Sequence, residues 1–118
     1  NWQPNWQNVR WNYAAADEAA QALRHVANML DTTAAERVSV ARDAQAEWRG
    51  AYRTKFDGEL DLILRRARDL AHECRQAASK IDGASQRARE EQAHRERERE
   101  RWWREKREEE ERARQRNT

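Results

Sequence analysis

Residues 41–63 read ARDAQAEWRGAYRTKFDGELDLI, and the fold turns on the triplet Trp48-Arg49-Gly50 inside them. The triplet separates two stretches that each repeat every seven residues. A bulky indole followed by a helix-stopping glycine marks a bend. The expected roles are a tryptophan that closes the seam and a glycine that caps the first helix in the left-handed conformation. Upstream, Tyr13, Ala20, Ala27, Ala34, Ala41 and Trp48 fall seven apart, interleaved with Ala16, Leu23, Leu30 and Ala44. Asp31-Thr32-Thr33 is a candidate break, with Thr33 and Glu36 able to form a capping box. The heptad phase is unchanged across that site, so one continuous helix from Tyr13 to about Trp48 is expected.

Downstream from Tyr52 the pattern is more regular. Phe56, Ile63, Leu70, Ala77 and Ala84 form one series, and Leu60, Ala67, Cys74, Ile81 and Ala88 form the other. Leu64, Ala71 and Ala78 widen the stripe, giving more apolar surface than one neighbouring helix can cover. The two arms would span ~54 Å and ~57 Å at 1.5 Å per residue, so a short bend folds them back antiparallel. The first helix offers mostly alanine, plus Val26, Met29 and Val40 at the edge, which buries little area at ~25 cal/mol per Å². The expected fold is therefore all-α: an antiparallel two-helix hairpin that pairs as a four-helix-bundle dimer, with a long charged C-terminal helical extension.

Around the hairpin, residues 1–12 (NWQPNWQNVRWN) form a polar arm carrying Trp2, Trp6 and Trp11. Pro4 and the amide-rich composition argue against helix there. The hairpin occupies 13–88 and an Arg/Glu-rich tail 89–118. Residues 87–116 hold 12 Arg/Lys and 10 Asp/Glu, out of 24 and 22 in the 118-residue chain. The tail is dense in charge but nearly cancelled, whereas a nucleic-acid arm needs a basic excess; no nucleic acid is expected as a partner. Alternating Arg and Glu at 95–101 suits i,i+3 pairs such as Arg95–Glu98 and Arg97–Glu100. Later pairs are i,i+4: Glu100–Arg104, Glu108–Arg112 and Glu110–Arg114. A lone, solvated helix is the expected form. Trp102 and Trp103 are its odd residues, expected to dock a partner, to touch the N-terminal tryptophans, or to meet the tail of a second chain.

Catalytic chemistry is poorly served. His25, His72 and His94 are scattered with no metal-type spacing, and Cys74 is alone on an apolar row. No phosphate-binding glycine loop and no buried carboxylate pair are signalled, so a non-enzymatic protein without metal, cofactor or small-molecule substrate is expected. No run approaches the ~20 apolar residues of a membrane span, and the sequence shows no basic segment followed by an apolar leader.

With Trp48-Arg49-Gly50 at the bend of matched helices of this size, residues 13–88 resemble the WXG (Trp-X-Gly) family of small type VII (ESX-type) secretion proteins. The likeness rests on the alanine-rich first helix, the triplet, Ala51, Phe56 and the leucine-rich second helix. It implies a homodimer or heterodimer with a related helical-hairpin protein, engagement of type VII secretion machinery, and a secreted or cell-envelope location after cytoplasmic dimerisation. Trp48 and Gly50 would define the bend and part of an export surface. Leu23, Leu30, Phe56, Leu60, Ile63, Leu64, Leu70, Cys74 and Ile81 would form the hairpin and dimer seam. The family's Tyr-xxx-Asp/Glu export signal does not occur after residue 88, which places it on a partner or in further sequence. Two other readings fit the same pattern: an N-terminal targeting domain of a larger exported effector, or a cytoplasmic coiled-coil scaffold.

Overall fold

A computed structural model describes residues 1–117; Thr118, the last residue of the expected tail, lies outside the described residues. Among the described residues there are two helices and no strand: α1 spans Tyr13–Ala44 and α2 spans Ala51–Arg116. α1 runs unbroken through Asp31-Thr32-Thr33, as the constant heptad phase requires. The chain divides into two compact units. One is Ala14–Asp82, and the other joins Asn1–Tyr13 to the chain from Gly83 onward.

Within Ala14–Asp82 the helices pack against each other as an antiparallel hairpin. Cross-helix contacts draw together in sequence toward the bend, from Arg24–Asp82 and Asp31–Arg75 to Arg42–Asp61 and Gln45–Asp57. The centre of the interface is made of alanine. Ala20, Ala27, Ala71 and Ala78 are fully buried, flanked by Val38 and Leu60 at 4% and 6% exposure. A methyl side chain lets two helix axes approach closely, and that approach decides which rows lie inside.

Two expectations about the second helix change as a result. The Phe56, Ile63, Leu70 series lies at the edge of the contact between α1 and α2: Phe56 is half-buried, while Ile63 and Leu70 remain 53% and 48% exposed. The row that seemed only to widen the stripe (Leu64, Ala71, Ala78) is the buried centre, beside Leu60, Ala67, Cys74 and Ile81. Bulky side chains cannot enter an alanine-to-alanine contact, so they are displaced about one row round the helix.

In the second unit the arm, residues 1–12, is not helical and lies along α2. Trp11 contacts Ser85, Val9 contacts Gln92, and Trp2 contacts Glu105, so the arm runs antiparallel to the helix. Nine residues of extended chain at ~3.3 Å cover about the same ~30 Å as twenty helical residues at 1.5 Å. An extended arm is therefore matched in length to the stretch of helix it follows. The tail is not the lone, solvated helix expected.

Candidate partner-binding face and hairpin bend

The bend is built from residues that flank the Trp-Arg-Gly triplet. α1 ends at Ala44, four residues before Trp48. Gln45 N–H donates to the carbonyls of Ala41 and Arg42, and Trp48 N–H to Gln45 O at 2.9 Å, a tightening of the last turn. Gly50 adopts φ +82°, a left-handed conformation in which a side chain is strained. It does not cap α1. Its carbonyl accepts Thr54 N–H and the Thr54 hydroxyl, at 3.2 and 3.3 Å, so it stands immediately before α2 as that helix's first acceptor.

The end of α1 is closed by arginine. Arg53 Nη1 reaches the carbonyls of Gln45, Ala46 and Trp48 at 3.0–3.3 Å, and Arg49 Nη1 reaches those of Ala46 and Trp48 at 2.8 Å. Two guanidinium groups thus meet the carbonyls of the turn that follows α1, at the negative end of its dipole. Asp57 orients this clasp, accepting from Arg53 Nε at 3.3 Å and from the Gln45 side-chain amide. Gln45 is wholly buried, and its Oε1 has no hydrogen-bond partner. Trp48 is 48% exposed and packs edge-on against Phe56, with ring centroids 5.6 Å apart. Sequence reading missed Gln45, Arg53 and Asp57. The available signal was a glutamine on the alanine seam and an Arg-xxx-Asp pair one turn into α2.

The hairpin has two unlike faces. At about 100° per residue, Arg24, Asp31 and Arg42 fall on one flank of the α1 seam, and Asp57, Asp61, Arg75 and Asp82 fall on the corresponding flank of α2. This face carries the ion pairs Arg24–Asp82 at 2.6 Å, Arg75–Asp31 at 2.8 Å and Arg42–Asp61. All are part-exposed, so they select the register more than they stabilise it.

The opposite flank is apolar. Val26, Met29, Ile63 and Leu70 are 45–53% exposed there. Val26, Met29, Leu30, Val38, Leu60 and Ile63 line an open groove of about 600 Å³ between the helices. Among the seam residues expected from sequence, Leu60 is buried and Leu23, Leu30, Leu64, Cys74 and Ile81 are half-buried. Leu30, Leu60 and Ile63 come together at the groove.

In the arm unit, long polar side chains of α2 hold the backbone of the arm. Gln92 Oε1 accepts Val9 N–H at 2.8 Å, Arg95 donates to Gln7 O at 3.0 Å, and Arg99 donates to Asn5 O and Gln7 O at 2.9 and 2.8 Å. The indole N–H groups of Trp2 and Trp11 donate to Glu105 and Ser85 at 2.8 and 2.9 Å. Trp6 packs edge-on against Trp102 and Trp103, at 5.3 and 6.2 Å between centroids, and Arg101 lies 4.2 Å over the Trp2 ring. The two tail tryptophans thus meet the N-terminal arm. Of the expected tail ion pairs, Glu110–Arg114 forms at 4.0 Å, whereas Arg95 turns back to Glu91 at 3.0 Å and to the arm.

No family model, curated protein or solved structure matches the chain. Among the described residues no His/Cys/Asp/Glu group is arranged to hold a metal ion, and no helix is long and apolar enough to cross a membrane. His25, His72 and His94 are exposed on different turns, and Cys74 is a free, half-buried thiol on the seam.

Proposed function

We propose that the chain is a non-enzymatic pairing module whose apolar hairpin face binds another helical hairpin. We further propose that it serves type VII secretion, as a WXG-type substrate or secretion-coupled partner. The observation that carries the pairing is the exposure of Val26, Met29, Ile63 and Leu70 on one face of a hairpin whose other face is closed by ion pairs. A contiguous apolar patch bounded by polar residues marks an interaction surface. The secretion reading adds the exposed Trp48 beside the left-handed Gly50, an aromatic bend of the kind the family uses for export. Partnership precedes export, and the destination is the cell envelope or the exterior.

Ile63→Asp with Leu70→Asp tests the pairing: helix content should be kept, while association with a co-expressed hairpin encoded beside it should be lost. Unchanged association overturns the proposal. For secretion, Trp48→Ala with Gly50→Ala should abolish export from the native host while the complex persists; normal export overturns that part. The charged continuation of α2 to Arg116 favours a second reading, a targeting domain within a larger exported effector. A further folded domain in the complete gene product, exported only when this hairpin is present, would support it.

A further inference from the structure

We infer that the groove on the apolar side of the hairpin binds a single-chain anionic amphiphile: a fatty acid whose chain lies along α1 and whose carboxylate meets Arg37. The inference goes beyond the pairing proposed above and does not depend on it. Arg37 interrupts the apolar rows of α1, and of the side chains lining the groove it alone is charged. Among the described residues no ion pair or hydrogen bond holds its guanidinium, whereas Arg24 and Arg42 on the opposite flank are both paired with aspartates.

The groove has the length and lining of a site for one acyl chain. Val26, Leu30, Thr33 and Arg37 are spaced by four, three and four residues, so they stay within about 60° of one another and form a straight stripe. From Val26 to Arg37 the stripe rises ~16 Å at 1.5 Å per residue. One acyl chain of a bilayer covers half of a ~30 Å hydrocarbon core, or ~15 Å. A chain of that length with its carboxylate at Arg37 ends beside Val26. Leu60 and Ile63 wall the groove from α2, and about 600 Å³ of apolar space with one placed polar group is typical of a small-molecule cleft.

The head end carries more positive charge than Arg37 alone supplies. The ion pairs Asp31–Arg75 and Arg42–Asp61 set residue 37 at about the level of residues 66–68 of α2. Arg66 follows Ile63 by three residues, is exposed, and among the described residues is held in no ion pair. Two unpaired guanidinium groups at one level, with no carboxylate lining the groove, are complementary to an anion. A cationic or uncharged amphiphile leaves them uncompensated. A bound chain also fills space that a partner helix would enter, so ligand and partner exclude each other.

The test is calorimetric titration of the 118-residue chain with decanoate, decanol and decyltrimethylammonium, each kept below its aggregation concentration. Decanoate should bind saturably and about threefold to fivefold more tightly than decanol, the size of a part-exposed ion pair. Decyltrimethylammonium should bind most weakly. Arg37→Gln should remove the advantage of decanoate and leave decanol unchanged. From octanoate to dodecanoate each added CH₂ should tighten binding roughly twofold, as half-burial requires where complete burial gives ~fourfold. Ile63→Asp should weaken decanoate and decanol together, with helix content kept in circular dichroism.

Absence of saturable binding, equal affinity for the three head groups, or indifference to Arg37→Gln overturns the proposal. So does binding confined to vesicles of an anionic phospholipid, which would make the ligand a membrane surface. The pairing stands or falls separately. A co-expressed hairpin that is lost with Ile63→Asp and Leu70→Asp keeps the pairing when decanoate fails to bind. Decanoate binding by a chain that associates with no hairpin removes the pairing alone.

Discussion

In the hairpin and in the arm-bearing unit, each taken by itself, the part of α2 present is covered with opposite chemistry. Between Ala14 and Asp82 the covering element is a second helix, seated on fully buried alanines. In the other unit it is an extended arm, held by Gln92, Arg95 and Arg99 and by indoles at both ends. The physical reason lies in what each partner leaves unsatisfied. A helix pairs its own backbone groups and asks only for a smooth, small-residue surface. An extended segment has free N–H and C=O groups, and long polar side chains supply their partners. Alanine recruits a helix; glutamine and arginine recruit a strand-like arm.

The sharpest way to break this contrast is to disturb the alanine contact. Ala71→Leu forces a larger side chain into a fully buried site and should destabilise the hairpin by about 1–3 kcal/mol in urea unfolding. The same change at Ala113, which is only half-buried, should be near neutral. Next comes the clasp. Arg53→Ala removes one guanidinium from three carbonyls at the end of α1 and should lower stability by about 1–2 kcal/mol, since charge-assisted bonds at a part-exposed site are weakened by solvent. Hydrogen exchange at residues 42–48 would locate the loss at the bend.

Trp6→Ala tests the arm: losing the edge-on contacts with Trp102 and Trp103 should free it by about 1 kcal/mol. Faster exchange of Val9 N–H, with residues 20–38 unaffected, is the expected signature. The smallest effect belongs to the ion-paired face. Arg24→Met should change stability by less than about 0.5 kcal/mol, because the pair with Asp82 is nearly half exposed on both sides. A larger loss would show that this face stabilises the hairpin as well as selecting its register.

Much of the helical pattern was readable from the heptads. They locate both helices, carry α1 without a break past Thr33, and bring the chain back on itself near Gly50. The place of the bend was legible but its construction was not. Trp48 and Gly50 are conspicuous residue types, whereas Arg53 is one arginine among many, and only the position of the turn carbonyls after α1 gives it a role. The apolar face was equally concealed. Periodicity shows that Ile63, Leu70 and Leu60 lie on a common stripe, yet it cannot say which row is central when two adjacent rows are both apolar.

By itself the sequence determined what depends on local repetition: two helices, a bend between them, an irregular arm before Tyr13, and an apolar excess that one partner helix cannot cover. Tertiary structure alone decided what depends on distance. The close approach allowed by Ala20, Ala27, Ala71 and Ala78 turned Ile63 and Leu70 outward to form an open face. The arm's own unpaired backbone groups brought it onto side chains about 80 to 90 residues away in sequence. A repeat specifies the direction of a side chain around its own axis; which directions become interior is settled only when a second surface arrives.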